Sequence, residues 1–101
     1  LIVCIDTLNY FGDLAAPLRG SAGALRPHGI FIFTVERAKD GQDAHFHLNR
    51  SGRFSHSERY IRESLEKAAF RIVMLETATL RREARKPVEG LVVMGVKNSP
   101  L

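Results

Sequence analysis

Phe70-Arg71-Ile72-Val73-Met74-Leu75-Glu76-Thr77 is followed, after the basic stretch Leu80 to Pro87, by Val88-Glu89-Gly90-Leu91-Val92-Val93-Met94-Gly95-Val96. Both apolar runs have strand composition, and alternation puts Ile72 and Met74 on one face and Val73 and Leu75 on the other. A parallel pair would need a crossover of about a dozen residues or more, usually helical. None lies between these runs, so the two strands are predicted to be antiparallel. Leu80 to Pro87, with Arg81, Arg82, Arg85 and Lys86, reads as a solvated basic connection.

Working upstream, Ser55 or Ser57 is positioned to cap a helix running to about Ala69, with Tyr60, Ile61, Leu65 and Ala68 on one stripe. Ala38 to Arg53 is polar and Gly-containing and reads as a long loop of the kind that forms lids or mobile segments. Ile30-Phe31-Ile32-Phe33-Thr34-Val35-Glu36 is a buried-type strand ending in an acid. A helix precedes it. Leu14, Pro17, Leu18, Ala22 and Leu25 have helical spacing, Asp13 is the candidate N-cap, and Arg26-Pro27-His28-Gly29 stops the run. Leu1-Ile2-Val3-Cys4-Ile5-Asp6 is another apolar run ending in an acid, the pattern of a strand covered on both faces. The order is strand, helix, strand, helix, strand, strand. It predicts an α/β domain, half of a Rossmann-like doubly wound sheet in β-α-β-α-β-β order, with three parallel strands and an antiparallel last one.

The 101 residues carry 45% hydrophobic and 26% charged side chains, enough for one globular unit. An apolar strand starting at residue 1, without Met, is read as a chain whose upstream neighbour is missing, and residues 1–101 as a single partial domain. Cys4 is the only cysteine, which excludes an internal disulfide and makes a reducing, cytoplasmic setting the expectation. No run of about 18 apolar residues occurs, so no membrane-spanning helix is predicted. The net charge of +4 is compatible with an acidic partner without requiring one.

The wording of the sequence adds to this order. Leu1-Ile2-Val3-Cys4-Ile5-Asp6-Thr7-Leu8-Asn9-Tyr10-Phe11-Gly12-Asp13-Leu14 resembles the fourth strand and following loop of class I S-adenosylmethionine-dependent methyltransferases. Leu25-Arg26-Pro27-His28-Gly29-Ile30 resembles their L-x-P-G-G approach to the fifth strand, with His28 in place of the first Gly. Gly52-Arg53-Phe54-Ser55-His56-Ser57, Tyr60 and Ala69-Phe70 are similar to a bacterial subgroup fused to TPR repeats. The family's last strand enters the sheet antiparallel, as predicted here. Its Gly-rich cofactor loop and ribose-binding acid belong to a region upstream of residue 1. The resemblance therefore implies a methyltransferase parent whose C-terminal half, alone, is inactive and does not bind the cofactor tightly.

Ligands of open parallel sheets sit outside the carboxyl ends of the strands. Here those exits are Asp6 to Phe11 and Thr34 to Arg37. The resemblance implies that Asp6 and Thr7 meet the ammonium of S-adenosylmethionine and that Leu8 and Tyr10 wall its sulfonium. The alternative is that Asp6 caps the following helix and that Tyr10 and Phe11 are core. Glu36 and Tyr10 are the catalytic candidates, Glu36 as an orienting group or a base for the proton that methyl transfer releases. Arg53, His56 and Tyr60 are the candidates for contacting the unknown methyl acceptor, because loops over strand exits commonly carry such contacts. His45-x-His47 offers too few ligands for a metal, so none is expected. Cys4 reads as inert packing. The Arg81 to Lys86 patch lacks the breadth and aromatic interleaving of a nucleic-acid interface. A rival reading is a stand-alone interaction module. Its first strand, left as an open apolar edge, predicts a homodimer or higher assembly through Leu1 to Ile5.

Overall fold

The computed structural model describes residues 1–38 and 45–98. A mixed sheet is built on β2 (Ile30–Arg37), whose residues Phe31 and Val35 are fully buried. β6 (Lys86–Lys97) runs antiparallel along one edge of β2 from Ile30 to Glu36, and β5 (Phe70–Glu83) pairs antiparallel with β6. β1 (Ile2–Cys4) pairs parallel with Phe31–Phe33, so it occupies the opposite edge of β2. β5 is therefore parallel to β1 and β2, and β6 is the reversed strand inserted between β2 and β5. This is the predicted α/β, Rossmann-like order. The connection from β1 to β2 passes through a helix, as parallel returns usually do.

Helix α1 (Ala15–Ala24) joins β1 to β2. The N-cap position is Leu14, which offers no side-chain cap, and not Asp13 as expected; Asp13, one residue earlier, accepts the Ala15 N–H on its Oδ1 at 2.8 Å. Helix α2 (Glu58–Lys67) starts at Ser57, whose Oγ accepts the Tyr60 N–H at 3.1 Å, so Ser57 rather than Ser55 is its cap. Its stripe residues Ile61 and Leu65 are fully buried. They join Leu14, Leu18, Phe31, Phe33 and Leu91 in one core, and burying each such side chain contributes roughly 1.5–3 kcal/mol. Phe31 packs against Phe33 and Phe70 with ring centroids 5.0 and 5.8 Å away.

Three sequence readings need correction. The Leu80 to Pro87 connection is strand, not loop: β5 continues to Glu83 and β6 begins at Lys86. Ala84 and Arg85 turn the hairpin with φ of 47° and 66°. Positive φ at both central residues is the turn that matches strand twist, but Ala-Arg is not the Asn-Gly type of pair that announces it. Ala38 to Arg53 is not wholly loop either. Within its described part, β3 (Phe46–Leu48) pairs with β4 (Phe54–His56), and β4 continues the sheet beside Glu36 and Arg37 of β2; residues 39–44, the rest of that stretch, lie outside the described residues. Finally, the first strand is not covered on both faces, since Leu1, Val3 and Ile5 are each more than half exposed.

His28 stands at the position where the L-x-P-G-G pattern has Gly, and its φ is 65°. Its N–H donates to Lys97 O, and Lys97 N–H donates to Gly29 O, both at 2.9 Å, tying the approach to β2 onto the end of β6. At Gly90 an added Cβ would lie 2.2 Å from Leu80 and 2.7 Å from the Val35 carbonyl, so β6 depends on Gly there for its close approach.

Candidate functional site

β1 and β2 run side by side in the same direction, so their carboxyl ends open at one rim. Asp6 leaves β1 with φ of 55°, a conformation uncommon for a non-Gly residue. Its N–H donates to Thr34 Oγ1 on β2 at 3.2 Å, and Thr7 Oγ1 donates to Ile5 O at 3.2 Å. A short 3-10 turn, Leu8–Tyr10, follows. It sends Leu8 into the core at 3% exposure and leaves Tyr10 exposed at 61%. Leu8 thus lies beneath the rim rather than on the expected cleft wall. Tyr10 and Phe11 are not core.

The rim is closed from the other side of the sheet by the β5–β6 hairpin. Between Thr79 and Arg81 the β5 register shifts by one residue, a bulge at Leu80. Bulges re-aim side chains and bend the strand. Arg81 then reaches back across the sheet. Its guanidinium lies 2.9 Å from Asp6 Oδ1, 3.0 Å from Glu36 Oε2 and 3.1 Å from Glu83 Oε1. Arg53 adds to this group, 3.3 Å from Glu36 Oε2 and paired with Glu83. The contacts to Glu36 Oε2 are ion pairs by distance without hydrogen-bond alignment. Arg53 is placed by the β3–β4 turn, where Asn49 Nδ2 donates to the Arg53 carbonyl at 3.0 Å and to Ser55 Oγ at 2.7 Å. Asp6, Asn9, Tyr10, Arg53 and Arg81 line a cleft of about 150 Å³.

The other two acceptor candidates fall elsewhere. His56 is fully buried at the end of β4, with its Nε2–H donating to Gly12 O at 3.1 Å. Burial pushes its imidazole below the ordinary value of 6.5, opposed by the carbonyls of Gly12 and Phe11. Tyr60 stacks on His56, and its hydroxyl accepts the Leu14 N–H at 2.9 Å. Both side chains fasten the Phe11–Leu14 segment to β4 and α2. Tyr60 also lines a second cavity of about 500 Å³, with Asp13, His45, Phe46 and Lys67. Of the three, only Arg53 reaches the strand-end cleft. Among the described residues no group of three or more His, Cys, Asp or Glu side chains is placed to hold a metal ion, and no helix is long and apolar enough to cross a membrane.

Sequence reasoning missed Asn9, Arg81 and Glu83. Arg81 and Glu83 are two residues apart, and had β5 been read to its end, alternation would have set them on one face. Asn9 carries no such signal.

The chain superimposes over 97% of its length on a methyltransferase of Methanosarcina mazei, described as S-adenosylmethionine-dependent, with a TM-score of 0.78 and 13% identity. It matches the 1,6-didemethyltoxoflavin-N1-methyltransferase of Burkholderia thailandensis with a TM-score of 0.72, 21% identity and 96% coverage. This is the methyltransferase fold. A third structure, the N-methyltransferase NodS of Bradyrhizobium japonicum, gives a TM-score of 0.66 at 19% identity over 97% of the chain. The chain spans only 58%, 44% and 45% of these three proteins. No protein-family model and no curated protein sequence matches it.

The fit of this rim to S-adenosylmethionine is partial. The Asp6 carboxylate, 60% exposed, and the oxygens of Thr7 are groups that suit an ammonium. The cleft itself, at about 150 Å³, has room for a head group and not for a nucleoside.

Proposed function

We propose that this chain is the methyl-end and acceptor side of an S-adenosylmethionine-dependent methyltransferase site, belonging to a longer enzyme and inactive alone. The observation that carries the reading is the shared rim: Asp6 and Glu36 end adjacent parallel strands and meet the same Arg81 guanidinium. When bound, the cofactor supplies an electrophilic methyl group on a sulfonium. Asp6 and Thr7 hold its ammonium end by charge and by oxygen acceptors. Tyr10, exposed at the mouth, presents an aromatic face to positive charge. Glu36, buried and held by two guanidiniums, orients the acceptor side through Arg53 and Arg81 and does not move freely as a base. The narrower form of the proposal, a TPR-fused bacterial enzyme acting in the cytoplasm, rests on the resemblance of Gly52 to Ser57 to that subgroup and on Cys4 being the single cysteine of the sequence.

Calorimetric titration of S-adenosylmethionine tests the reading. Residues 1–101 alone are expected to show negligible affinity. A longer chain carrying an upstream strand and Gly-rich turn binds, and Asp6→Ala weakens that binding by about tenfold, roughly the loss of one charge-assisted contact. Tight binding by residues 1–101, or no effect of Asp6→Ala, refutes it.

A second reading, an interaction module that self-associates, is favoured by a different observation. The outer edge of β1 has no strand partner among the described residues, and Leu1, Val3 and Ile5 are exposed beside it. Open apolar edges pair with other chains.

A further inference from the structure

The larger cavity, of about 500 Å³, shares no lining residue with the strand-end cleft. Strand register puts it on the other face of the sheet. Glu36 pairs with Ser55 and Arg37 with His56, while Phe46 pairs with His56. Alternation therefore sets Phe46 and His56 on the face away from Glu36. That face carries the helices: Val35, two residues before Arg37, joins Leu18 of α1 and Ile61 of α2 in the core. Three rings wall the cavity there, with Tyr60 5.1 Å from His45 and 5.6 Å from Phe46, centroid to centroid. A volume of this order is that of sites for small molecules.

The charges around the wall are not equivalent. Two acids and two cations line the cavity, Asp13 and Glu63 against Arg19 and Lys67. Both acids are engaged: Asp13 Oδ1 accepts the Ala15 N–H at 2.8 Å, and Glu63 Oε1 lies 3.1 Å from Arg59 Nε. The cations are not. Among the described residues neither Arg19 nor Lys67 has a hydrogen-bond or ion-pair partner. Lys67 stands four residues after Glu63, the spacing of a helical ion pair, yet Arg59 holds that carboxylate instead. Two uncommitted cations, one from each helix, thus flank a wall of aromatic rings. An anion on a flat apolar body complements both.

We propose that this cavity between α1, α2 and β3 binds an aromatic carboxylate. The ring of the ligand packs on Phe46 and Tyr60, in the offset or edge-to-face contact that aromatic pairs prefer. Its carboxylate meets the planar guanidinium of Arg19 and the ammonium of Lys67. The site lies off the rim where Asp6 and Glu36 end their strands, so its ligand is neither the cofactor nor the methyl acceptor. The proposal does not rest on the methyltransferase reading.

The test titrates residues 1–101 with three probes, 2-naphthoate, 2-naphthylmethylamine and octanoate, at matched ionic strength, followed by nuclear magnetic resonance. The reporters are the Phe46 and Tyr60 ring signals and the Arg19 Nε–H. 2-Naphthoate is expected to shift them saturably. The amine, which reverses the charge, binds at least about tenfold more weakly, and octanoate, which keeps the charge and lacks the ring, at least about threefold more weakly. Arg19→Gln combined with Lys67→Gln changes two exposed helix positions and leaves the core untouched. This double variant keeps the melting temperature of the parent chain and loses at least about tenfold in 2-naphthoate affinity. Equal binding of the amine or of octanoate overturns the proposal, as does the absence of a saturable shift or unaltered binding in the double variant. Shifts at Asn9 and Arg81 in place of Tyr60 would put the ligand in the strand-end cleft and overturn it as well. The methyltransferase reading is tested separately, by Asp6→Ala and cofactor titration, so either can fail without the other.

Discussion

Replacing His56 with Gln separates a buried imidazole from every other acid-sensitive group in the chain. His56 is fully buried, its Nε2–H is held by Gly12 O at 3.1 Å, and its Nδ1 has no partner. Protonation would put a charge there with no carboxylate in contact, and burial accordingly lowers the folded-state pKa below 6.5. The sign follows from linkage. Below pH 6.5 the unfolded chain binds a proton that the folded chain refuses, so stability falls as pH drops from that value toward the depressed one, and is complete above it. The slope in that window is bounded by one proton, about 1.4 kcal/mol per pH unit. Gln keeps an N–H for the Gly12 carbonyl but does not titrate. Urea unfolding measured from about pH 7.5 to about pH 5.5 should show wild type losing up to roughly 1.4 kcal/mol more than His56→Gln by one pH unit below the reference value. Carboxylates contribute equally to both curves and cancel. Parallel curves would mean that the imidazole is solvated or already protonated in the fold. The reasoning that assigns it to fastening the Phe11–Leu14 segment would then fail.

His28→Gly is expected to stabilise the chain by about 1 kcal/mol, since φ of 65° strains any residue with a Cβ, and His28→Val to destabilise it; thermal melting of the three proteins gives the order, and an unstable Gly variant would contradict it. Val3→Lys should convert any homodimer formed through β1 into monomer without lowering the melting temperature, because Val3 is 52% exposed on an open edge. Sedimentation equilibrium reads the outcome, and a wild-type chain already monomeric at high concentration removes the self-association reading.

The alternating and continuous apolar runs Ile30 to Glu36, Phe70 to Thr77 and Val88 to Val96 located the three long strands, because a strand's burial is written in its own composition, but not the three-residue strands β3 and β4 of the same sheet. The reversal of the last strand followed from the missing crossover alone. Ser57 was readable as a cap, since capping is settled within three residues of chain, whereas Asp13 lies one residue before the actual cap position, Leu14. His28 was visible as a departure from L-x-P-G-G, and its positive φ is the physical reason the pattern has Gly there.

The cleft was only half legible. Asp6, Tyr10, Arg53 and Glu36 drew notice because strand exits and loops are where ligands meet this kind of sheet. What the sequence could not carry is which distant groups face them. Arg81 and Asp6 are 75 positions apart and touch only because Ala84-Arg85 turns without Gly and Leu80 bulges. His56 and Tyr60 sit beside Arg53 in sequence, yet strand alternation and the helix start turn them into the interior. Local order is encoded in neighbouring residues, whereas the charge balance of the rim arises only when separate elements close over the same few ångströms.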